Sequence, residues 1–246
     1  MRNPIIVALD MSDADQAVSL AASLAPHVGA FKVGKELFTR TGPSIVSRLR
    51  AEGANVFLDL KFHDIPNTVA KAVTMATALN VQFLTIHTSG GSAMMRAAEE
   101  AAQKAAASNG ANPPLVLGVT VLTSLDEVGL HELGVQGSVE DHVARLAKLA
   151  VSSGLRGLVC SPLELPMLRR ILPPSTQLVT PGIRAANAPK DDQRRTLGPV
   201  EAIENGADWL VIGRPICAAQ DPRQAAVEFW DAICSSPAAA NRLADV

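Results

Sequence analysis

The chain has no tyrosine and only three cysteines in 246 residues. Without tyrosine, no phenol can contact an anion. Cys160, Cys217 and Cys234 are widely spaced, odd in number and lack metal-ligand spacing. They read as reduced, buried thiols and not as a disulfide framework or a zinc site. Long apolar runs are missing too. The run Ile5–Leu9 is too short for a signal peptide and no later run could span a bilayer, so a cytoplasmic protein without a membrane role is expected. Neither sign of charge dominates. A formal net charge of −2 argues against non-specific binding to nucleic acid or membrane surfaces. An anionic ligand must then be caught by local charge. No linker or shift in composition divides the chain, so residues 1–246 read as one domain. Residues 235–246 read as a tail, either frayed or a last helical turn.

What is present is a globular composition, 48% hydrophobic and 19% charged, on a chain long enough to bury a large core. Eight short apolar runs recur: Ile5–Leu9, Phe31–Val33, Val56–Leu58, Phe83–Ile86, Leu115–Val119, Gly157–Cys160, Gln177–Val179 and Trp209–Ile212. Each is continuous and not alternating, as parallel strands covered on both faces require. Amphipathic stretches lie between them, beginning with Ala14–Leu24 behind the cap candidate Ser12. Strand and helix in eightfold alternation, about 25 to 30 residues apart, predict a single-domain α/β fold, the (β/α)8 TIM barrel. A doubly wound open sheet is the alternative. It calls for a Gly-rich phosphate turn after the first strand, and Leu9-Asp10-Met11-Ser12 is not one.

In such a barrel, chemistry sits at the carboxyl ends of the strands. There the chain offers Asp10, Lys32, Asp59, Lys61, His87, Thr120, Thr123, Ser124, Ser161, the run Pro181-Gly182-Ile183-Arg184, and Gly213-Arg214. Asp10 reads equally as a cap for the first helix. Lys32 either snorkels from its strand or pairs with Asp10 and Asp59. His87 taken alone reads as a hydrogen-bonded structural histidine, and His63 has no assigned task. Glycine at 182 and 213 would let the backbone approach an anion, and Arg214 could clamp it.

The densest cluster is Asp59-Leu60-Lys61-Phe62-His63-Asp64, four titratable side chains in six residues beside a core strand. Burying such groups is costly unless they are paired. The stretch Asp59-Leu60-Lys61-Phe62-His63-Asp64-Ile65-Pro66-Asn67-Thr68 closely resembles the signature of the orotidine 5′-phosphate decarboxylase family. The resemblance continues through Val7-Ala8-Leu9-Asp10, Phe31-Lys32-Val33-Gly34, Val121-Leu122-Thr123-Ser124, Thr180 to Arg184, and Ile212-Gly213-Arg214-Pro215.

That resemblance implies decarboxylation of orotidine 5′-phosphate to UMP, the last step of pyrimidine nucleotide synthesis, with no cofactor and no metal. It implies an alternating network of Lys32, Asp59, Lys61 and Asp64, with Lys61 as proton donor. It also implies a homodimer in which Asp64 and Thr68 reach the partner's site. By the same resemblance Asp10 binds ribose hydroxyls, and Thr123 and Ser124 contact the pyrimidine. Ile65 is a further binding position. Pro181, Arg184, Gln193, Gly213 and Arg214 lie on the phosphate side, with the 184–195 loop expected to move. The residue types have a physical rationale of their own. Breaking the C–C bond leaves electron density on a carbon with no good delocalised sink, and a nearby ammonium stabilises that charge and then supplies the proton. A metal-dependent sugar-phosphate decarboxylase would need a carboxylate at the end of strand two, where this chain has Lys32 and, four residues on, Glu36. A non-catalytic phosphate-binding barrel would leave the acid–lysine cluster without a purpose.

Overall fold

The computed structural model describes residues 1–184 and 196–244. Eight parallel strands form one closed barrel in sequence order. They are β1 (Ile5–Ala8), β2 (Ala30–Val33), β3 (Val56–Phe62), β4 (Phe83–His87), β5 (Leu115–Val119), β6 (Gly157–Val159), β7 (Gln177–Pro181) and β8 (Trp209–Ile212). Closure comes from β8 pairing back onto β1, through Ile5 with Leu210 and Val7 with Ile212. The expected TIM barrel is therefore the fold, and a closed ring leaves no switch point for the doubly wound alternative.

Continuous apolar runs are explained by burial on both faces. Successive side chains of a strand point to opposite sides. Ile5, Val7, Phe31, Val33, Val56 and Leu58 pack outward under the helices in the larger core. Ile6, Ala8, Ala30, Phe57, Phe83, Leu117, Val179, Trp209 and Val211 form a second core inside the barrel. Aromatic rings plug its lower half: Phe83 meets Phe57 edge-on at 5.8 Å and Trp209 at 4.9 Å between centroids. One step further along β2, β3 and β4 the same inward row reaches Lys32, Asp59 and Thr85. The inner core is thus the floor on which the polar cluster stands.

Two local expectations change. Asp13, not Ser12, caps the Ala14–Leu24 helix, because its carboxylate sits directly before the first turn and accepts from the N–H groups of Asp15 and Gln16. The tail from Pro237 to Ala244 is an eight-residue helix that buries Ala239 and Leu243. Among the described residues no helix is long and apolar enough to cross a membrane.

At the amino-terminal end of the barrel, Asp208 is 4% exposed and anchors this tail helix. It pairs with Arg169 and, at 3.1 Å, with Arg242 of the tail, and accepts from the Leu178 N–H at 2.7 Å. Removing one member of a buried ion pair strands the remaining charges. Asp208→Asn is therefore expected to cost about 3 kcal/mol of stability, read as a lower urea midpoint, while substrate affinity of the folded fraction stays unchanged.

Candidate active site

Strand β3 extends to Phe62, so Asp59 and Lys61 lie within it and not after it. Pairing with β4 slips over this stretch. Leu58 faces Leu84 and Phe62 faces Ile86, four residues of β3 spanned against two of β4. A bulge of this kind re-aims side chains at the rim of a barrel. Lys61 takes up the excess with φ of 53°, a left-handed conformation that a lysine adopts only when its surroundings enforce it.

The bulge brings charges together. The Lys61 ammonium donates to both oxygens of Asp59 at 2.8 Å. Lys32 donates to Asp10 at 2.8 Å and lies 3.7 Å from Asp59. Lys32 is thus paired and not snorkelling, and Asp10 serves this cluster instead of capping a helix. Asp59 is 9% exposed. Burial alone would raise its pKa, but Lys32 and Lys61, with hydrogen bonds from Lys61 and Thr85, outweigh that and hold it below the usual carboxylate range. Asp59 therefore stays ionised at neutral pH with two ammonium groups around it.

A cavity of about 550 Å³ opens above the cluster. Asp10, Lys32, Asp59 and Lys61 line one side, Thr123 and Ser124 the β5 side, and Pro181, Arg184, Gly213 and Arg214 the β7–β8 side. Ten sequence-predicted positions therefore share one space. Three do not. Asp64, Ile65 and Thr68 are exposed on the turn into the Pro66–Ala78 helix, with Ile65 66% accessible. Asp64 accepts from the Ile65 N–H and, among the described residues, forms no ion pair with Lys61 of its own chain. Within one chain, the four-member charge network is consequently three-membered. Gln193 and most of the 184–195 loop lie outside the described residues.

Other strand-end groups have structural work. Ser161 and Glu164 form a reciprocal capping box, and the Thr120 hydroxyl donates to the Val159 carbonyl. His87 ends β4 with its ring 5.4 Å from that of His63. Burial, then the fields of the neighbouring His63, Lys61 and Lys35 side chains, lower its pKa and keep it neutral. Only Cys160 of the three thiols is fully buried; Cys217 is half-buried and Cys234 exposed. Cys160 and Cys217 line the cavity, where burial pushes the Cys217 thiol up to about 11 and raises Cys160 further, so neither is a nucleophile at neutral pH. Missed from sequence were the apolar wall of Ala8, Phe57, Val119, Val159 and Val211, which reads simply as strand core. Gly34 was missed as a site residue too: a Cβ there would sit 3.1 Å from Lys32 Nζ and 3.2 Å from Asp10 Oδ1.

Known proteins resemble this chain along most of its length. The sequence model described as "Orotidine 5'-phosphate decarboxylase / HUMPS family" matches residues 3–229. A protein of Nitrosococcus oceani named orotidine 5'-phosphate decarboxylase is 51% identical over 224 residues, 91% of this chain and 94% of that one. One of the same name from Paramagnetospirillum magneticum is 50% identical, covering 92% and 96%. The crystal structure of orotidine 5'-phosphate decarboxylase from Lactobacillus acidophilus superposes with a TM-score of 0.82 at 37% identity, over 92% of this chain and 97% of that one.

The crowding around Gly34 can be tested. Its φ of −89° suits alanine, so the backbone should tolerate Gly34→Ala. The added methyl must push the Lys32 and Asp10 head groups aside by a few tenths of an ångström, and kcat/KM should fall about tenfold while Tm changes little. Steady-state kinetics and a thermal melt of the same preparation check this.

Proposed function

The chain belongs to the orotidine 5′-phosphate decarboxylase / HUMPS family, and we propose that it converts orotidine 5′-phosphate to UMP and CO2 in the cytoplasm, as the last step of pyrimidine nucleotide synthesis, with Lys61 as the proton donor. The observation that carries this reading is the buried Asp59 carboxylate held between the Lys61 and Lys32 ammonium groups at the floor of the cavity. In the proposed reaction the bond from C6 of the pyrimidine to the carboxylate breaks, and the electron pair stays on C6. The Lys61 ammonium stabilises that pair electrostatically and then transfers its proton to C6. Asp59 keeps the ammonium in place, and its negative charge beside the departing carboxylate disfavours the bound ground state. Lys32 balances the two acids Asp10 and Asp59. Every step uses groups of the chain itself, so no cofactor is invoked.

The distribution of the remaining groups supports the substrate. Asp10 stands where it can accept from ribose hydroxyls, and Thr123 and Ser124 offer donors and acceptors to a pyrimidine edge. Arg184, Gly213 and Arg214 gather on the β7–β8 side, where barrels of this kind bind phosphate. Phosphate held there supplies binding energy remote from the reacting carbon. Gln193 is proposed as a further contact on that side.

We also propose a homodimer with shared sites. Residues 63–68 form an exposed run on a helix entry, carrying an accessible Ile65 beside an Asp64 that, among the described residues, forms no ion pair with its own chain's Lys61. Seated on a second copy, Asp64 would give Lys61 its second carboxylate, and Thr68 would accompany it into that site.

The direct test is the loss of orotidine 5′-phosphate absorbance in buffer treated with a strong chelator. Turnover at an undiminished rate is expected, whereas no turnover by the purified chain would refute the assignment. Mixing Lys61→Ala with Asp64→Ala chains probes the dimer. One intact shared site per mixed dimer should restore up to about a quarter to a half of native activity in a preparation where each parent is nearly inert. Verified mixed dimers without activity would exclude the cross-subunit role of Asp64.

A further inference from the structure

Thr85 lies in the middle of β4 with 1% of its surface exposed, in a run that reads from sequence as ordinary strand core. Its hydroxyl makes two bonds, both to the reactive stretch of β3. It accepts from the backbone N–H of Lys61 at 2.9 Å and donates to Asp59 Oδ1 at 2.9 Å. A threonine hydroxyl has one proton, and an ionised carboxylate can only accept, so the direction of both bonds is determined. The first bond falls where the β3–β4 register slips and where Lys61 takes its left-handed backbone. The slip removes regular ladder partners from this stretch, and the Thr85 side chain provides one in their place.

Resting on the decarboxylase reading above, we propose that Thr85 is a positioning residue for that reaction. Its hydroxyl holds the Lys61 backbone in the left-handed turn and sets the rotation of the Asp59 carboxylate, so that the Lys61 ammonium is aimed into the cavity. Thr85 does not line the cavity and acts through its two neighbours. Among the described residues, the charged groups around Asp59 are Asp10 after β1, Lys32 of β2 and Lys61 of β3, and the neutral but titratable His87 lies further off at the end of β4. From β4 the neutral Thr85 donor completes the shell. Deleting that donor removes one of the hydrogen bonds that favour the ionised form of Asp59, so its pKa should rise.

The test compares Thr85→Val, which keeps the shape and loses the hydroxyl, with Thr85→Ser, which keeps the hydroxyl. For Thr85→Val, kcat should drop about 30-fold or more with KM changed less than about threefold, because misaimed catalytic groups are felt in the transition state and not in substrate binding. The acid limb of its kcat/KM profile should move to higher pH. Thr85→Ser should keep kcat within about threefold of native, with the native acid limb. A purely packing role predicts the opposite pattern: a lower Tm for Thr85→Ser, which loses a methyl, and native kinetics for Thr85→Val. Native kcat and an unmoved acid limb in Thr85→Val would overturn the proposal, as would Thr85→Ser being as impaired as Thr85→Val. If Thr85→Val does not fold, Thr85→Ala against Thr85→Ser decides by the same two readouts. The native chain assayed in parallel separates the two levels, because its failure to turn over substrate would refute the decarboxylase reading, not the Thr85 role alone.

Discussion

A carboxylate taken almost wholly out of water is stable as an anion only if cations and donors replace the solvent, and the upper half of this barrel is arranged around meeting that demand for Asp59. Lys61 reaches it with both oxygens in range, Lys32 stands behind, and Thr85 fills the remaining direction. Each partner comes from a different strand or from the far side of a bulge. The barrel must therefore close in register before the cluster exists, and the cluster in turn constrains β2, β3 and β4 against slipping. The aromatic plug below it, Phe57 on Phe83 on Trp209, gives the charges a dry and rigid floor.

The opposite end of the barrel meets the same demand for a different purpose. Asp208 is also buried, and Arg169, Arg242 and the Leu178 N–H surround it. Guanidinium groups hold a carboxylate through a fixed planar fork, which suits a permanent clasp on the tail helix. Around Asp59 the cations are lysines, compact point charges on flexible stems, and an ammonium can release a proton where a guanidinium cannot. The two buried acids thus differ less in their own environment than in the chemistry of their partners.

Much of the fold was legible because its signal is local. Runs covered on both faces, such as Ile5–Leu9, are continuous in sequence whatever they pair with, and the helices between them carry their own apolar stripe. The charged positions were legible because charge beside a core strand is rare and expensive. What escaped was whatever depends on a neighbouring strand. The extension of β3 to Phe62 rests on renewed pairing with Ile86, and the shared role of Ala8, Val119 and Val211 as cavity wall rests on closure of the ring. Ser161 and Thr120 sit at strand ends like the residues that line the cavity, and their bonds to Glu164 and Val159 set them apart.

Residue types and their spacing alone were enough for the parallel α/β architecture, the acid–lysine stretch and the arginines at the last two strand ends. Hydrophobic periodicity and unpaired charge are properties of the chain itself. Which of those charges meet was settled by strand register and barrel closure. Those joined Asp10 to Lys32 across one strand pair, turned Lys61 left-handed beside Thr85, and left Asp64 on the outer surface of its own chain. Contacts between strands distant in sequence have no signature in either strand, because the hydrogen bonds that create them exist only once the ring is closed.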